Sequence, residues 1–228
     1  MDLALARRLR ATGGTVEEVI ALDPEVVVSG TFIGAATRHA LERAGIRVEL
    51  LPIPATVEES EAQVRALARL AGNRAGGEAM IGKIEQALAA GSPPPGEQPV
   101  EALVWQSGGI VPGANTLIAD LLGRTGFVSY SARRGMRQAD FLPLENVLAQ
   151  PPALILAAGD AHGEEDRMLA HPVLGGLTNT RREKLDASLL YCGGPTIVRA
   201  ARRLAEVRRS LADRDASGGA RRSGGSSR

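Results

Sequence analysis

The chain has 228 residues, of which 44% are hydrophobic and 23% charged, and its 27 Lys and Arg nearly balance 26 Asp and Glu to give a net charge of +1. These values are typical of a folded globular protein with one large domain or two small ones. They argue against a nucleic-acid-binding or anionic-membrane-binding protein, and no apolar run approaches the ~18 residues of a membrane helix.

The N-terminal third predicts a β-α-β arrangement. Thr15 caps a short helix that opens with Glu17, and an apolar strand follows at 25–29. A helix over about 35–43 and a strand over 47–51 come next. Two strands joined by a helix favour an α/β fold with a parallel sheet. The first ten residues contain three arginines and no apolar stretch, so no secretory signal peptide is visible in the chain as given.

Two helices and a proline-rich segment occupy the middle of the chain. The first helix starts near residue 56 and breaks at Gly72, and the second runs from about 74 to 90. The stretch 91–96 contains three consecutive prolines and predicts a stiff linker. We therefore predict four regions: a partial N-terminal lobe (1–73), a bridging helix and linker (74–98), a C-terminal lobe (99–213) and a disordered Gly/Ser/Arg-rich tail (214–228).

The C-terminal part resumes the α/β alternation. Its predicted elements are a strand at 100–106, a glycine-rich loop at 107–115, a helix at 116–125, strands at 154–157 and 188–191, and a final amphipathic helix with arginines on its outer face.

One segment occurs twice, because residues 16–28 resemble residues 144–156. In both copies a glutamate opens a short helix, a proline ends it, and an apolar strand follows; Glu145 comes 128 residues after Glu17. This interval is far longer than the roughly 20–50 residues of a solenoid repeat, so it indicates two similar α/β lobes. One carboxylate at the same place in each lobe predicts a two-point electrostatic contact with a basic partner.

Aromatic residues are few, and three of them lie at or just past the carboxyl ends of predicted strands. These are Phe32, Trp105 and Tyr191. Ligands of open α/β sheets bind at the carboxyl ends of the strands. The pattern therefore predicts a ligand-binding cleft.

The sequence signals for a catalytic, nucleotide-binding or metal site are weaker than those for a ligand-binding cleft. Cys192 precedes a predicted helix, whose N-terminus favours a thiolate, but the three histidines stand at no diagnostic spacing from it. The loop at Ser107 offers glycines for a phosphate but lacks a nucleotide-binding motif. His162 and His171 flank an acidic loop without metal-site spacing. We predict no catalytic residue, metal or cofactor; the alternative is a small α/β enzyme using Cys192 or the Ser107 loop.

The motifs together resemble those of one protein family. Residues 16–28 are similar to its Leu-Glu-x-Ile-x-Ala-Leu-x-Pro-Asp-Leu-Val segment, residues 109–117 to its Gly-Tyr-Val-Pro-Gly-x-x-Thr-Leu segment, and residues 192–195 to its Cys-Gly-Gly-Pro segment. On these motifs the chain resembles the class III substrate-binding proteins of ABC importers, which take up iron-siderophores, haem or cobalamin.

This resemblance implies a periplasmic, monomeric, non-enzymatic protein with two Rossmann-like lobes joined by a long bridging helix. Family members have a signal peptide and further N-lobe strands before the equivalent of Ala11, so we expect an incomplete N-terminal lobe. The resemblance implies that Glu17 and Glu145 dock to the permease dimer. We expect a small metal-chelate ligand, of undetermined kind, to contact Phe32, Trp105, Gly109, Tyr191 and Gly193, with Arg133, Arg134 and Arg137 as partners for its acidic groups.

Overall fold

The computed structural model describes residues 7–159 and 171–223, with side chains as far as residue 212. Its contacts divide the chain into two compact units, Met1–Ile53 and Pro54–Arg228. Both are α/β and both contain parallel strands, which confirms the predicted fold class. The acidic loop with His162 lies outside the described residues.

The first unit contains two helices and two strands in alternation. These are α1 (Val16–Ile20), β1 (Val26–Gly30), α2 (Ala35–Arg43) and β2 (Arg47–Leu51). The strands pair in parallel from Val26↔Arg47 to Gly30↔Leu51. Thr15 caps α1 as predicted, since its Oγ1 accepts a hydrogen bond from the Glu18 amide at 3.3 Å. The Glu18 carboxylate accepts from the Gly13 amide at 2.6 Å rather than from Thr15.

The second unit begins with a helical hairpin that packs on its last helix. The hairpin consists of α3 (Val57–Leu70) and α4 (Arg74–Gly91), and α4 packs along α8 (Pro195–Ser223). Within the hairpin a Cβ on Gly77 would lie 2.5 Å from the Cβ of Ala68, so the two helices touch closely there. Because this packing is extensive, the boundary between units falls after Ile53, and the predicted boundary at residue 73 lies inside the second unit.

A four-stranded parallel sheet forms the centre of the second unit. Its strands lie in the order β5 (Phe127–Ser129), β3 (Val100–Gln106), β7 (Leu154–Ala158) and β8 (Arg181–Lys184). A separate antiparallel pair is formed by β4 (Ile110–Pro112) and β6 (Ala139–Phe141). The connecting helices are α5 (Leu117–Arg124), α6 (Tyr130–Arg133) and α7 (Leu144–Ala149).

The sheet has a core on each face. Alternate residues of β3 point to opposite faces: Val104 joins a cluster with residues of α4, α5 and α8, and Trp105 joins a second cluster beneath α6 and α7. Both clusters are buried, so the sheet is covered on both sides, as parallel sheets require.

The internal repeat keeps its spacing in the structure. Helices α1 and α7 begin at Val16 and Leu144, and strands β1 and β7 span Val26–Gly30 and Leu154–Ala158. The helix starts, the strand starts and the strand ends are each 128 residues apart. The repeat is therefore one helix-strand unit present once in each compact unit.

One predicted strand near the C-terminus is wrong, and one strand was not predicted. The segment 188–191 is not a strand, because the Asp186 carboxylate accepts a hydrogen bond from the Ser188 amide at 2.8 Å and closes a 3-10 turn over Ala187–Leu189. The edge strand is instead the charged β8, whose composition is typical of strands that must resist pairing with other chains.

The predicted disordered tail also differs. Helix α8 continues to Ser223, so residues 214–223 are helical, and residues 224–228 lie outside the described residues. Extending an existing helix is easier than nucleating one, which favours continuation beyond the buried part of α8. No helix in the described part of the chain is both long and apolar enough to span a membrane.

Candidate ligand-binding site

The carboxyl end of β3 opens into a sharp backbone turn. Gly108 and Gly109 have φ angles of 69° and 81°, a region that residues with a Cβ rarely adopt. Gly109 is buried, and its carbonyl accepts a hydrogen bond from the Leu142 amide at 2.9 Å. The turn thus joins the carboxyl end of β3 to the β4–β6 pair. Gly109 shapes this turn through its backbone.

Three exposed apolar side chains are connected to this end of β3. Ile110 and Phe141 are directly opposite each other in the β4–β6 pair and are 45% and 56% exposed. Tyr191 is 69% exposed, and its hydroxyl is hydrogen-bonded to Oε1 of Gln106, the last residue of β3. We call Gln106, Ile110, Phe141 and Tyr191 the C-terminal rim.

The first unit has an apolar edge of its own. Phe32 and Ile53 each lie two residues beyond the last paired residues of their strands, Gly30 and Leu51. They are 84% and 68% exposed. Phe32 was predicted from the sequence. Ile53 was missed, although an apolar residue between two prolines just after a strand was a usable signal. We call Phe32 and Ile53 the N-terminal rim.

Trp105 is not part of either rim, which corrects the prediction. Its side chain is fully buried in the cluster with Leu103, Val111 and Tyr130. The reason is that β3 lies inside the sheet with both faces covered, so a residue at its end still points into a core. Its indole Nε1 has no hydrogen-bond partner among the described residues.

Arg133 and Arg134 are also not at the C-terminal rim. Both are ion-paired with Glu101, at 3.7 and 3.5 Å, near the amino end of β3. Five residues of parallel strand place Glu101 about 16 Å from Gln106. The Arg134 guanidinium also lies 3.3 Å from the centroid of the Tyr130 ring. Arg133 and Arg134 therefore form an ion-pair cluster with Glu101, far from the C-terminal rim. They lie there because β5, the strand before them, pairs with the amino end of β3.

Two further predicted residues have different settings. Arg137 is exposed, and its main-chain carbonyl accepts a hydrogen bond from the Asn115 amide at 2.6 Å. Gly193 is half-buried, and a Cβ at this position would collide with Oγ of Ser60. A glycine at position 193 is therefore explained by packing, because Ser60 occupies the space that a side chain would need.

The catalytic alternative gains no support from the geometry. Cys192 is exposed, and its thiol has no hydrogen-bond partner among the described residues. The ring of His171 is engaged locally, since its Nδ1 accepts from the Val173 amide at 3.3 Å. Within residues 7–159 and 171–212, no three His, Cys, Asp or Glu side chains are grouped so that they could hold a metal ion.

A separate cavity of about 290 Å³ lies on the helical hairpin rather than at the strand ends. It is lined by Arg65, Ala68, Arg69, Arg74 and Glu78. Arg65 and Glu78 are paired at 3.0 Å across it.

The family follows from comparison with known proteins. A family model described as periplasmic binding protein matches residues 2–185. The chain belongs to the periplasmic binding protein family. No curated protein sequence matches it.

Several solved structures share the fold. A periplasmic haem-binding protein from Pseudomonas aeruginosa is 23% identical with a TM-score of 0.67, and the match covers 85% of this chain and 75% of that one. The haem-binding protein HutB of Vibrio cholerae is 18% identical with a TM-score of 0.71, covering 85% and 80%. An ABC-type Fe3+-hydroxamate transport protein from Saccharomonospora viridis is 21% identical with a TM-score of 0.63, covering 87% and 72%.

In this periplasmic binding protein, the two repeated glutamates have the same local setting. Glu17 and Glu145 are each the second residue of their helix, α1 and α7. Both are exposed, and neither side chain makes a hydrogen bond or ion pair within the described residues. Because Glu18 already bonds the backbone ahead of α1, Glu17 has no capping role there. Docking through these two carboxylates stays a prediction.

Proposed function

We propose that the protein is the substrate-binding component of an ABC importer, which captures a metal chelate in the periplasm and delivers it to the permease. Membership of the periplasmic binding protein family supports a binding role rather than an enzymatic one. The solved structures with the same fold include proteins named for haem and for Fe3+-hydroxamate. The proposed ligand class is therefore haem, an iron-siderophore or cobalamin.

The observation that carries this proposal is the C-terminal rim. Monomeric proteins keep large exposed apolar side chains scattered, and contiguous ones mark binding surfaces. Ile110 and Phe141 lie side by side, and Tyr191 presents its ring on the same edge with its hydroxyl held by Gln106. Such a surface suits a ligand with a broad apolar face. Full burial of each side chain would contribute roughly 1.5–3 kcal/mol. Ile110, Phe141 and Tyr191 are already partly covered, so each contributes less.

The N-terminal rim supports the same proposal independently. Phe32 and Ile53 sit at the carboxyl ends of parallel strands, where ligands of α/β proteins bind. Neither is needed for packing, since both are largely exposed. Their replacement by alanine should therefore change ligand affinity without changing stability.

We further propose that Glu17 and Glu145 dock the protein, as a monomer, to arginine or lysine side chains of the permease dimer. Both carboxylates are exposed and pair with no other described side chain, so they are accessible to a basic partner. They also steer association, an effect that weakens as salt is added.

The test is stimulation of the importer's ATPase in proteoliposomes. Glu17→Ala combined with Glu145→Ala should leave ligand affinity unchanged and abolish stimulation. A matched control removes the same charge elsewhere: Glu25→Ala with Glu85→Ala, both exposed, should stimulate normally. Normal stimulation by the Glu17/Glu145 double variant would show that docking uses another surface.

A further inference from the structure

Ser60 is the only fully buried polar residue of α3, whose other buried residue is Val57. It lies in the first half of α3 and is only 1% exposed. Its Oγ accepts a hydrogen bond of 2.8 Å from the Gly194 amide, across 134 residues of chain. A buried amide left without its acceptor destabilises the folded state, so the contact is costly to remove.

Ser60 also determines which residue can precede Gly194. A Cβ on Gly193 would collide with Ser60 Oγ, and its next neighbour would be Pro54 at 3.6 Å. Gly194 itself has a φ of 58°, a conformation that favours glycine. The hydroxyl and the two glycines thus fit one another closely.

The segment held by Ser60 carries the aromatic residue of the C-terminal rim. Tyr191 is attached to Gln106 through its hydroxyl, and Gly194 is attached to Ser60 through its amide. Between them only Cys192 and Gly193 intervene. The four-residue segment 191–194 is consequently held at both ends, by the Tyr191 side chain and by the Gly194 backbone.

Helix α3 is a firm support for this contact. The Asp120 carboxylate accepts hydrogen bonds of 2.9 Å from the Val57 amide and from Nε of Arg124. Arg124 also bonds to Glu58 at 2.6 Å. These contacts fasten the first turn of α3 to α5, so Ser60 acts from a rigid position.

We propose that Ser60 is a positioning residue for ligand binding, which sets the orientation of the Tyr191 ring through the Gly194 amide. This rests on the proposed function, because it assumes that Tyr191 contacts the ligand. Ser60 itself does not touch the ligand in this account.

The first test is made without ligand. In Ser60→Ala the Gly194 amide loses its acceptor, so its hydrogen exchange, followed by NMR, should become at least tenfold faster. Ser129→Ala is the matched control, since Ser129 is also buried and its hydroxyl accepts from the Ala132 amide at 3.3 Å, away from the 191–194 segment. This control should leave Gly194 exchange unchanged. Unchanged exchange in Ser60→Ala would overturn the proposal.

The second test uses haem titration and a double-mutant cycle. Ser60→Ala should weaken haem affinity about fivefold to tenfold, which corresponds to the net loss of one hydrogen bond. In a Tyr191→Ala background the same change should have no further effect, because the ring to be positioned is gone. Equal losses in both backgrounds would overturn the positioning role. If the wild-type protein bound no haem, the same cycle would be run with a ferric hydroxamate and with cobalamin. If it bound none of the three while Gly194 exchange still responded to Ser60→Ala, the proposed function would be wrong and the contact itself would stand.

Discussion

Replacing Ile84 by alanine tests whether α4 belongs to the core of the second unit. Ile84 is fully buried in the cluster formed with Leu156 and Leu204, from the sheet and α8. A helix that only linked two lobes would not bury such a side chain within one of them. The structure therefore predicts a large loss of stability from this one substitution.

The magnitude follows from the burial. Truncation of a fully buried isoleucine to alanine removes its transfer free energy and leaves a cavity, together about 2–5 kcal/mol. A domain of this size shifts its melting temperature by about 2–4 °C per kcal/mol, so we expect a decrease of about 4–20 °C. Leu67→Ala is the control on the neighbouring helix α3; Leu67 is 39% exposed, so its truncation should cost about 1 kcal/mol or less.

Trp105 makes the measurement specific to the second unit. It is the only tryptophan in the chain and is fully buried in that unit, so its fluorescence reports unfolding there. Urea unfolding followed at this residue gives the free energy for each variant. If Ile84→Ala cost no more than Leu67→Ala, α4 would not be packed as described, and the boundary after Ile53 would be wrong.

Two further predictions concern the same helical hairpin. Gly82→Ala should raise the free energy of unfolding by about 0.5–1 kcal/mol, since no atom outside the adjacent backbone of its own helix lies within 4 Å of the added Cβ. Gly77→Ala should instead lower the free energy of unfolding by about 1–3 kcal/mol through collision with Ala68. Urea unfolding checks both, and equal effects would contradict the close packing at Gly77. Burial, then the nearby Glu85 charge, raises the pKa of Glu61 above its ordinary value of 4.5. Ionisation of Glu61 as the pH rises through that raised pKa therefore costs stability. Glu61→Gln should be more stable than wild type at pH 7, and the part of this difference that comes from ionisation should vanish as the pH falls below about 4.5. A difference that stays constant over this range would refute the reasoning.

The sequence predicted the fold where the pattern was local and repeated. The β-α-β unit, the Thr15 cap and the 128-residue repeat all depend on short-range periodicity and capping, and the structure contains each of them. The segment 188–191 was predicted as a strand from its apolar residues. There the Asp186 side chain closes a turn instead, a local hydrogen bond that periodicity does not report.

The candidate binding site was only partly predictable. Exposure at Phe32 and Tyr191 follows from their place after strands or turns, but the same reasoning failed for Trp105 because strand order decides which strand ends are covered. Arg133 and Arg134 were assigned to the ligand by charge alone, whereas their pairing with Glu101 depends on contacts across about 30 residues of chain.

Ser60 had a detectable signal that was not used. It falls three residues after Val57 and four before Val64, which places it on the apolar stripe of α3. A serine on such a stripe is a candidate for a buried hydrogen bond. Its partner Gly194 is 134 residues away and could not be inferred from spacing.

The central claim, that the C-terminal rim binds a metal chelate, is tested most directly by titrating the purified protein with haem, a ferric hydroxamate and cobalamin while following Trp105 fluorescence. We predict saturable one-to-one quenching by at least one of the three. We also predict that replacing Ile110, Phe141 and Tyr191 together by alanine weakens that binding at least tenfold, because each lost apolar contact removes a fraction of the roughly 1.5–3 kcal/mol of full burial. Absence of saturable binding by all three ligands, or an unchanged affinity in the triple variant, would contradict the account.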